Sequence, residues 1–293
     1  MMNILLTQAI SFPHLGITIK GLPASFQLSD SASLSISGIL VGLAIILAYF
    51  IIRWQADVTN QDREMYIGLA VPVVFFSVVG ARIFYILFSI DKVGDRPELM
   101  SILNGGMSWY GALFAGALTV FIYTKVKKLP LYKIFDTVSA GILAGQALGK
   151  WGDFFSRRNF GRYTDNLFAM RLSVEDVEQK NITSLMLAAA EKKGYTGYIQ
   201  VHPLFLYESV AEIFLLIFIL FYFRHKKFNG EIFLIYLTGY GLIRFLTEGL
   251  RVTSLKIWGT SVAVSQAISL VMAVTCISLL IVKRTDAEAK SKG

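Results

Sequence analysis

Two stretches of this chain carry chemically capable residues at spacings that bring them together. In the first, Tyr240, Arg244 and Glu248 stand four residues apart and Arg251 follows at three, so a helix presents them as one stripe. The wall around that stripe is apolar: Leu242, Ile243, Phe245 and Leu246. In the second, Gly141, Gly145, Gly149 and Gly152 repeat at four, four and three, with Lys150 and Asp153 beside the last two. A helix side without side chains serves close helix packing or the close approach of a ligand to the backbone. A glycine-rich turn with basic neighbours can cradle a phosphate.

Arg82, Asp136, Glu208 and Glu212 join Arg244 and Glu248 as ionisable residues in or near long apolar runs. On insertion scales each costs about 2.5–3.5 kcal/mol at the centre of a membrane helix, so all six facing lipid would cost roughly 15–20 kcal/mol. That exceeds the stability of an ordinary domain. The six must therefore face one another, a wet cavity or the membrane surface. Interhelical ion pairs would satisfy this, and so would a functional site, which is the default reading of an intramembrane charge. Tyr207 and Glu208 lie one turn inside a helix that starts near Pro203, and His202 reads as a structural loop residue. Trp109 and Tyr110 open another apolar run after Gly105 and Gly106. They suit an interfacial aromatic belt, and Tyr110 can also donate a hydrogen bond into a cavity.

The elements that must position these residues are membrane spans. The chain has 293 residues, 55% hydrophobic and only 16% charged, with a mean hydropathy of +0.58. Several runs reach the roughly 20 residues that cross a bilayer. The reading is an all-α integral membrane protein with seven spans, near 33–53, 66–90, 108–126, 132–150, 203–223, 231–250 and 261–282. Thirteen basic residues fall in segments 53–65, 125–133, 224–230 and the tail, against five (Lys20, Lys92, Arg96, Arg251 and Lys256) on the other side. The positive-inside bias puts the N-terminus outside and the C-terminus in the cytoplasm. The domain plan is then an external segment 1–32, spans 33–150, an external cap 151–202, spans 203–282 and a cytoplasmic tail 283–293. The cap is expected to hold a helix near 173–193 started by Ser173 and Asp176. The segment GITIKGLPASFQL suits a short strand or interfacial piece beside it, and TDAEAKSKG a disordered tail.

Other classes are excluded on composition. The net charge of +8 sits in short clusters between apolar runs, which sets topology and does not point to nucleic acid. The lone Cys276 excludes an intramolecular disulfide or Cys-cluster metal site, and the three histidines show no metal-ligand spacing. No removable signal peptide is evident at the N-terminus. A transporter or channel lacks the expected inverted repeats and paired broken helices. A retinal protein is disfavoured because Lys283 stands at the end of the last span.

GGMSWYG at 105–111, GKWGDFF at 149–155, FGRYTDNLFAM at 160–170, HPLFLYES at 202–209 and GYGLIRFLTEGLR at 239–251 together resemble the bacterial prolipoprotein diacylglyceryl transferases. They occur in family order, and RIFYILF at 82–88 and Asp136 fit as well. The resemblance implies a multi-pass protein of the bacterial cytoplasmic membrane that needs no cofactor or metal. It implies phosphatidylglycerol and prelipoprotein signal peptides with a lipobox cysteine as substrates, within membrane lipid. A diacylglyceryl group passes to the cysteine thiol, a thioether forms and glycerol phosphate leaves. Arg244, Tyr110 and Glu248 become the expected catalytic group: Arg244 for the phosphate, because a guanidinium binds bidentately and stays charged, and Glu248 to orient it. A phenol is a poor base at neutral pH, so Tyr110 suits a donor's role. Lys150, Asp153, Gly152, Arg158, Gly161, Tyr240, Tyr207, Glu208, Arg82 and Asp136 become the expected substrate-binding set.

The family signature after the fourth span reads Gly-Arg-x-Gly-Asn-Phe-x-Asn-x-Glu. Here Lys150 replaces the arginine, Asp153 and Ser156 the asparagines, and Arg158 the glutamate. Lys150 keeps the charge without the fork, and Asp153 three residues on is placed to pair with it. Arg158 would restore positive charge nearby. The alternative function is a diverged, non-catalytic relative that binds anionic lipid or prelipoprotein.

Overall fold

The computed structural model describes residues 3–292 except 7, 30–31, 89–105, 196, 253, 255, 258–259 and 261. Lys92, Arg96 and Gly105 lie outside the described residues. The chain is mostly helical. The long helices are α1 (Ile36–Val58), α2 (Arg63–Phe88), α3 (Trp109–Val126), α4 (Leu131–Gly149), α7 (Leu204–Tyr222), α8 (Glu231–Leu250) and α9 (Val264–Lys292). Between α4 and α7 lie the short α5 (Trp151–Ser156) and α6 (Ser184–Lys192). Five helices are long and apolar enough to cross a membrane: α1, α2, α3, α7 (extended to His225) and α9. The two long helices outside that set, α4 and α8, have their hydropathy lowered by glycines together with charged residues: Lys133 and Asp136 in α4, and Glu231, Arg244 and Glu248 in α8.

Two compact units divide the chain: residues 1–48 with 139–293, and residues 49–138. In the smaller unit α2 and α3 meet through small residues. A Cβ on Gly80 would overlap Ala115 and stand 2.8 Å from the Gly111 carbonyl oxygen. One end of the unit is tied by Gln61, which donates to Thr137 Oγ1 (2.6 Å) and accepts from the Tyr66 hydroxyl (2.7 Å). Asp136 is fully buried there, and Ala56, Tyr66, Leu69 and Ile134 form the core.

In the larger unit α8 lies against both α7 and α9. The chain turns from α7 into α8 through Gly230, at φ 99°, a conformation that favours glycine. A Cβ on Gly241 would stand 2.9 Å from the Ser269 carbonyl of α9, and Gln266 Nε2 donates to Phe245 O (3.2 Å). The buried Glu231 fixes the turn by accepting from the Tyr222 hydroxyl (2.7 Å) and from Lys227 N (2.5 Å).

The segments outside the membrane helices are not helical throughout, which corrects the all-α expectation for that part. Strand β1 (Asn3–Leu6) pairs antiparallel with β4 (Pro23–Ser29), which pairs with β5 (Ala32–Ser35). A second antiparallel sheet runs β3 (Ile17–Ile19), β2 (Ile10–Phe12), β6 (Met170–Ser173), β7 (Tyr198–Val201), so the N-terminal segment and the 151–202 segment share a sheet. Its core joins Ile10, Phe12, Met170, Leu172, Ile199 and Val201 to Phe154 and Phe205 of the helices. The expected helix at 173–193 is shorter: Ser173 caps only a 3-10 turn, and the α-helix starts after Thr183, whose hydroxyl accepts from Met186 N (3.3 Å). The tail expected to be disordered continues α9 as helix to Lys292, because Ala287, Glu288, Ala289 and Lys290 are strong helix formers.

An ionic clasp tethers this sheet at its edge. Asp165 accepts from His14 Nε2 (3.0 Å), Gln200 Nε2 (2.7 Å) and Lys193 Nζ, and the Lys193 bond in particular holds its carboxyl well below the usual carboxylate range.

Two outcomes are expected. Gly80→Val should lower the thermal midpoint in detergent by an overpacking cost of about 1–3 kcal/mol, whereas Gly42→Ala, into open space, should not lower it. Asp165 has a depressed folded-state pKa, so its contribution to stability is complete above the unfolded value of 3.8 and is lost as pH falls below it. Asp165→Asn should remove that part of the acid dependence of unfolding, read by denaturant titration at successive pH values.

Candidate functional site: a buried ionic cluster in the larger unit

Glu208 stands one turn inside α7 with a side chain only 3% exposed. Its Oε2 is paired with Lys150 Nζ at the end of α4, and its Oε1 lies 3.2 Å from Arg244 Nη1 and 3.8 Å from Arg251 Nη2. Glu248 closes the ring: its Oε2 is 3.0 Å from Arg244 Nη2 and 3.6 Å from Arg251 Nε. The four-residue repeat on α8 thus delivers Arg244 and Glu248 to one face as expected, and Arg251 reaches the same carboxylates from the helix end. All three cations keep part of their surface open, between 15% and 21%, while the carboxylates beneath them are closed off. The cationic edge is the accessible one.

Local sequence explains the placement. Pro203 begins α7, so Tyr207, Glu208 and Glu212 follow on its first turns. Gly145 packs α4 on α1, where a Cβ would stand 3.1 Å from the Ala44 carbonyl and 3.2 Å from Ala48 Cβ. Gly149, one turn on, faces open space beside Lys150. The glycine repeat therefore serves packing at one position and leaves room at the next. Ser37 donates to the Gly152 carbonyl (2.8 Å), and Trp151 Nε1 donates to Ser209, whose hydroxyl donates to the Ala147 carbonyl (2.9 Å). These bonds fix the α4–α5 junction against α1 and α7.

The remaining expected residues divide. Tyr240 stacks on Tyr236 at 6.0 Å between ring centroids, and Tyr236 meets Gln146 of α4 (3.2 Å). Tyr207 accepts from Asn166 Nδ2 (3.0 Å). Gly161 N donates to the His202 carbonyl and Arg162 N to the Leu250 carbonyl, which knots the 161–162 turn to the starts of α7 and the end of α8. A Cβ on Gly161 would stand 2.6 Å from His202 Cβ, so glycine is required there. Asp153 does not take Lys150 as its ion-pair partner: Lys150 turns to Glu208, and Asp153 accepts from Asn159 (2.8 Å). Burial raises the Asp153 carboxyl above its usual range. Arg158 points away, 66% exposed, with Glu178 at 3.9 Å and Lys180 lining the same surface pocket. Arg82, Tyr110 and Asp136 belong to the smaller unit. There Arg82 Nη1 donates to the Gly106 carbonyl (2.7 Å), and Tyr110 is 74% exposed at the start of α3.

Two residues carry more than the sequence suggested. Arg251 was a residue of the stripe without an assigned role, and it bridges both carboxylates. His202, read as a loop residue, faces the Tyr207 hydroxyl with Nδ1 at 3.3 Å, and burial holds its imidazole below the usual range. Its place just before the Pro203 helix start was the available signal.

A helical membrane protein with three cations gathered over shared buried carboxylates has the features of a site for an anionic ligand at a membrane. Residues 23–282 match the family model for prolipoprotein diacylglyceryl transferase. The chain is 34% identical over 278 residues to the phosphatidylglycerol–prolipoprotein diacylglyceryl transferase of Lactobacillus acidophilus, covering 92% of each chain. It is 31% identical to those of Listeria monocytogenes, covering 89% of this chain and 90% of the relative, and of Lactobacillus delbrueckii subsp. bulgaricus, covering 92% and 93%. The chain belongs to the prolipoprotein diacylglyceryl transferase family.

Removing Glu208 leaves three partly buried cations facing one another, and losing one partner of a buried pair costs about 3–5 kcal/mol. Glu208→Ala should therefore lower stability in detergent more than Glu178→Ala on the exposed cap, read as the difference in thermal midpoint.

Proposed function

We propose that the protein transfers the diacylglyceryl group of phosphatidylglycerol to the lipobox cysteine thiol of prelipoprotein signal peptides in the bacterial cytoplasmic membrane. The single observation that carries the site is the meeting of Lys150, Arg244 and Arg251 around Glu208. In this reading α4 and α8 span the membrane with the five apolar helices, since 19 and 20 helical residues rise about 28–30 Å. That makes seven spans. The basic residues of the 53–65, 125–133 and 224–230 segments then face the cytoplasm, and the ionic cluster lies at the opposite, outer end of α4, α7 and α8.

The reaction breaks the bond between a glyceryl carbon and a phosphate oxygen and forms a carbon–sulfur bond. The electron pair leaves with glycerol phosphate, and the thiol gives up its proton. The chain's contribution is positioning and charge. Arg244 is held by Glu208 and Glu248 with its guanidinium edge open, so its geometry is set before the lipid arrives. Arg251 and Lys150 flank it and stabilise the charge that grows on the departing phosphate. Tyr240 on α8 and Tyr207 on α7 stand on the helices that carry the cluster and serve as donors to headgroup or leaving oxygens. Arg82, Asp136 and Tyr110 belong to the smaller unit and are assigned no step. The nucleophile belongs to the incoming peptide, so Cys276, buried in α9, takes no part.

The altered signature is compatible with activity because Lys150 retains the positive charge and pairs with Glu208. The open face of Gly149 beside it leaves space for a headgroup.

The assay is the mass gained by a lipobox peptide incubated with phosphatidylglycerol and the purified protein. The unmodified protein should add one diacylglyceryl group. Arg244→Ala should lower the rate by about 100-fold or more, the scale of losing an oxyanion donor, and Arg251→Ala by about tenfold. Lys150→Arg combined with Asp153→Asn should raise it. No mass gain with the unmodified protein, under conditions where a relative works, would refute the function. Equal and mild losses for both arginine variants would reduce the cluster to a structural role.

A further inference from the structure

Glu212 follows Glu208 by one turn on α7 and is fully buried. Among the described residues neither of its carboxyl oxygens has a hydrogen-bond partner. The nearest cation is Lys150 Nζ at 4.0 Å, which is already engaged by Glu208. Lys150 of α4, Glu208 of α7, and Arg244 and Tyr236 of α8 face it. Tyr240 stands behind Tyr236. A buried ionised carboxylate without donors is costly, and such groups take up a proton instead.

Charge balance leads the same way. The cluster holds three cations, Lys150, Arg244 and Arg251, and four carboxyl groups, Glu208, Glu212, Glu248 and the nearby Asp153. With every group ionised the sum is negative, and a phosphodiester would add a further negative charge at low dielectric. Glu208 and Glu248 are each held by guanidinium groups, so their charges are matched. Asp153 accepts from Asn159, so among these four Glu212 is the carboxyl with neither a hydrogen-bond donor nor an ion pair closer than 4.0 Å among the described residues.

We propose that Glu212 binds a proton in the state that accepts anionic lipid, and that its ionisation at alkaline pH closes the site to anionic headgroups by drawing Lys150 inward. Glu212 is thereby a positioning residue that acts through Lys150. The proposal rests on the reading of the cluster as a headgroup site. The protonation itself can be tested without that reading.

The first measurement is infrared difference spectroscopy of the protein in zwitterionic nanodiscs, titrated from about pH 6 to about pH 9, the range over which ordinary carboxylates are already ionised. A protonated-carboxyl carbonyl band should bleach as pH rises, and Glu212→Gln should lack it. Absence of that band from the unmodified protein, or its persistence in Glu212→Gln, overturns the proposal whatever the enzyme does. The second measurement is the pH dependence of KM for phosphatidylglycerol in the lipobox-peptide assay. KM should rise several-fold from neutral to alkaline pH with a smaller change in kcat, and Glu212→Gln should abolish that rise. A rise of the same size in the variant also overturns the proposal. If the band titrates as expected but no transfer occurs at any pH, the functional reading fails and the protonation of Glu212 stands.

Discussion

One buried carboxylate organises the site: Glu208 is shared by Lys150, Arg244 and Arg251, which arrive from α4 and from two turns of α8. Without it three like charges would repel one another in a medium that screens poorly. With it they are held close together while their outer edges stay open. The cost of burying the carboxylate is offset only because several donors reach it, and Glu248 repeats the arrangement from below. An anion that arrives at this edge finds positive charge already oriented, so little reorganisation accompanies its binding or the growth of charge on a leaving phosphate.

The packing around the cluster exists to keep these groups in register. Gly145 lets α4 approach α1, Gly241 lets α8 approach α9, and Gly161 lets the 161–162 turn lie between the starts of α7 and the end of α8. None of these glycines touches a charge, yet each fixes where a charged helix end lies. The sheet formed by β3, β2, β6 and β7 places the N-terminal segment against the 151–202 segment, and Phe154 and Phe205 join its core to the helices below. The 151–202 segment is thus packed against the α4–α5 junction through Phe154.

Much of this was legible in the sequence. The stripe of Tyr240, Arg244, Glu248 and Arg251 follows from helical period alone, and the need for partners follows from the cost of charge in lipid. What could not be read was which carboxylate each cation would choose. Lys150 and Asp153 are three apart, a spacing that suits a pair, but tertiary structure offers Lys150 the closer Glu208, and Asp153 goes to Asn159. Arg158 was expected near the lipid by sequence position, whereas the left-handed turn at Arg157 sends it outward to Glu178. The sheets are poorly legible because their strands are only three to seven residues long, and because the pairing that joins the two segments, Ser11 with Arg171, is remote in sequence, which period-based reading of local windows does not reveal. The tail, expected to be disordered, is helical because its residues favour helix and continue an existing one.

The most direct test of the central claim is a structure of the protein with a non-reactive phosphatidylglycerol analogue bound. The account predicts its phosphate within hydrogen-bonding reach of the open edges of Arg244 and Arg251, with Lys150 beside it and Glu208 still bridging the three. A phosphate found elsewhere, with those three cations remaining closed on their carboxylates, would contradict it.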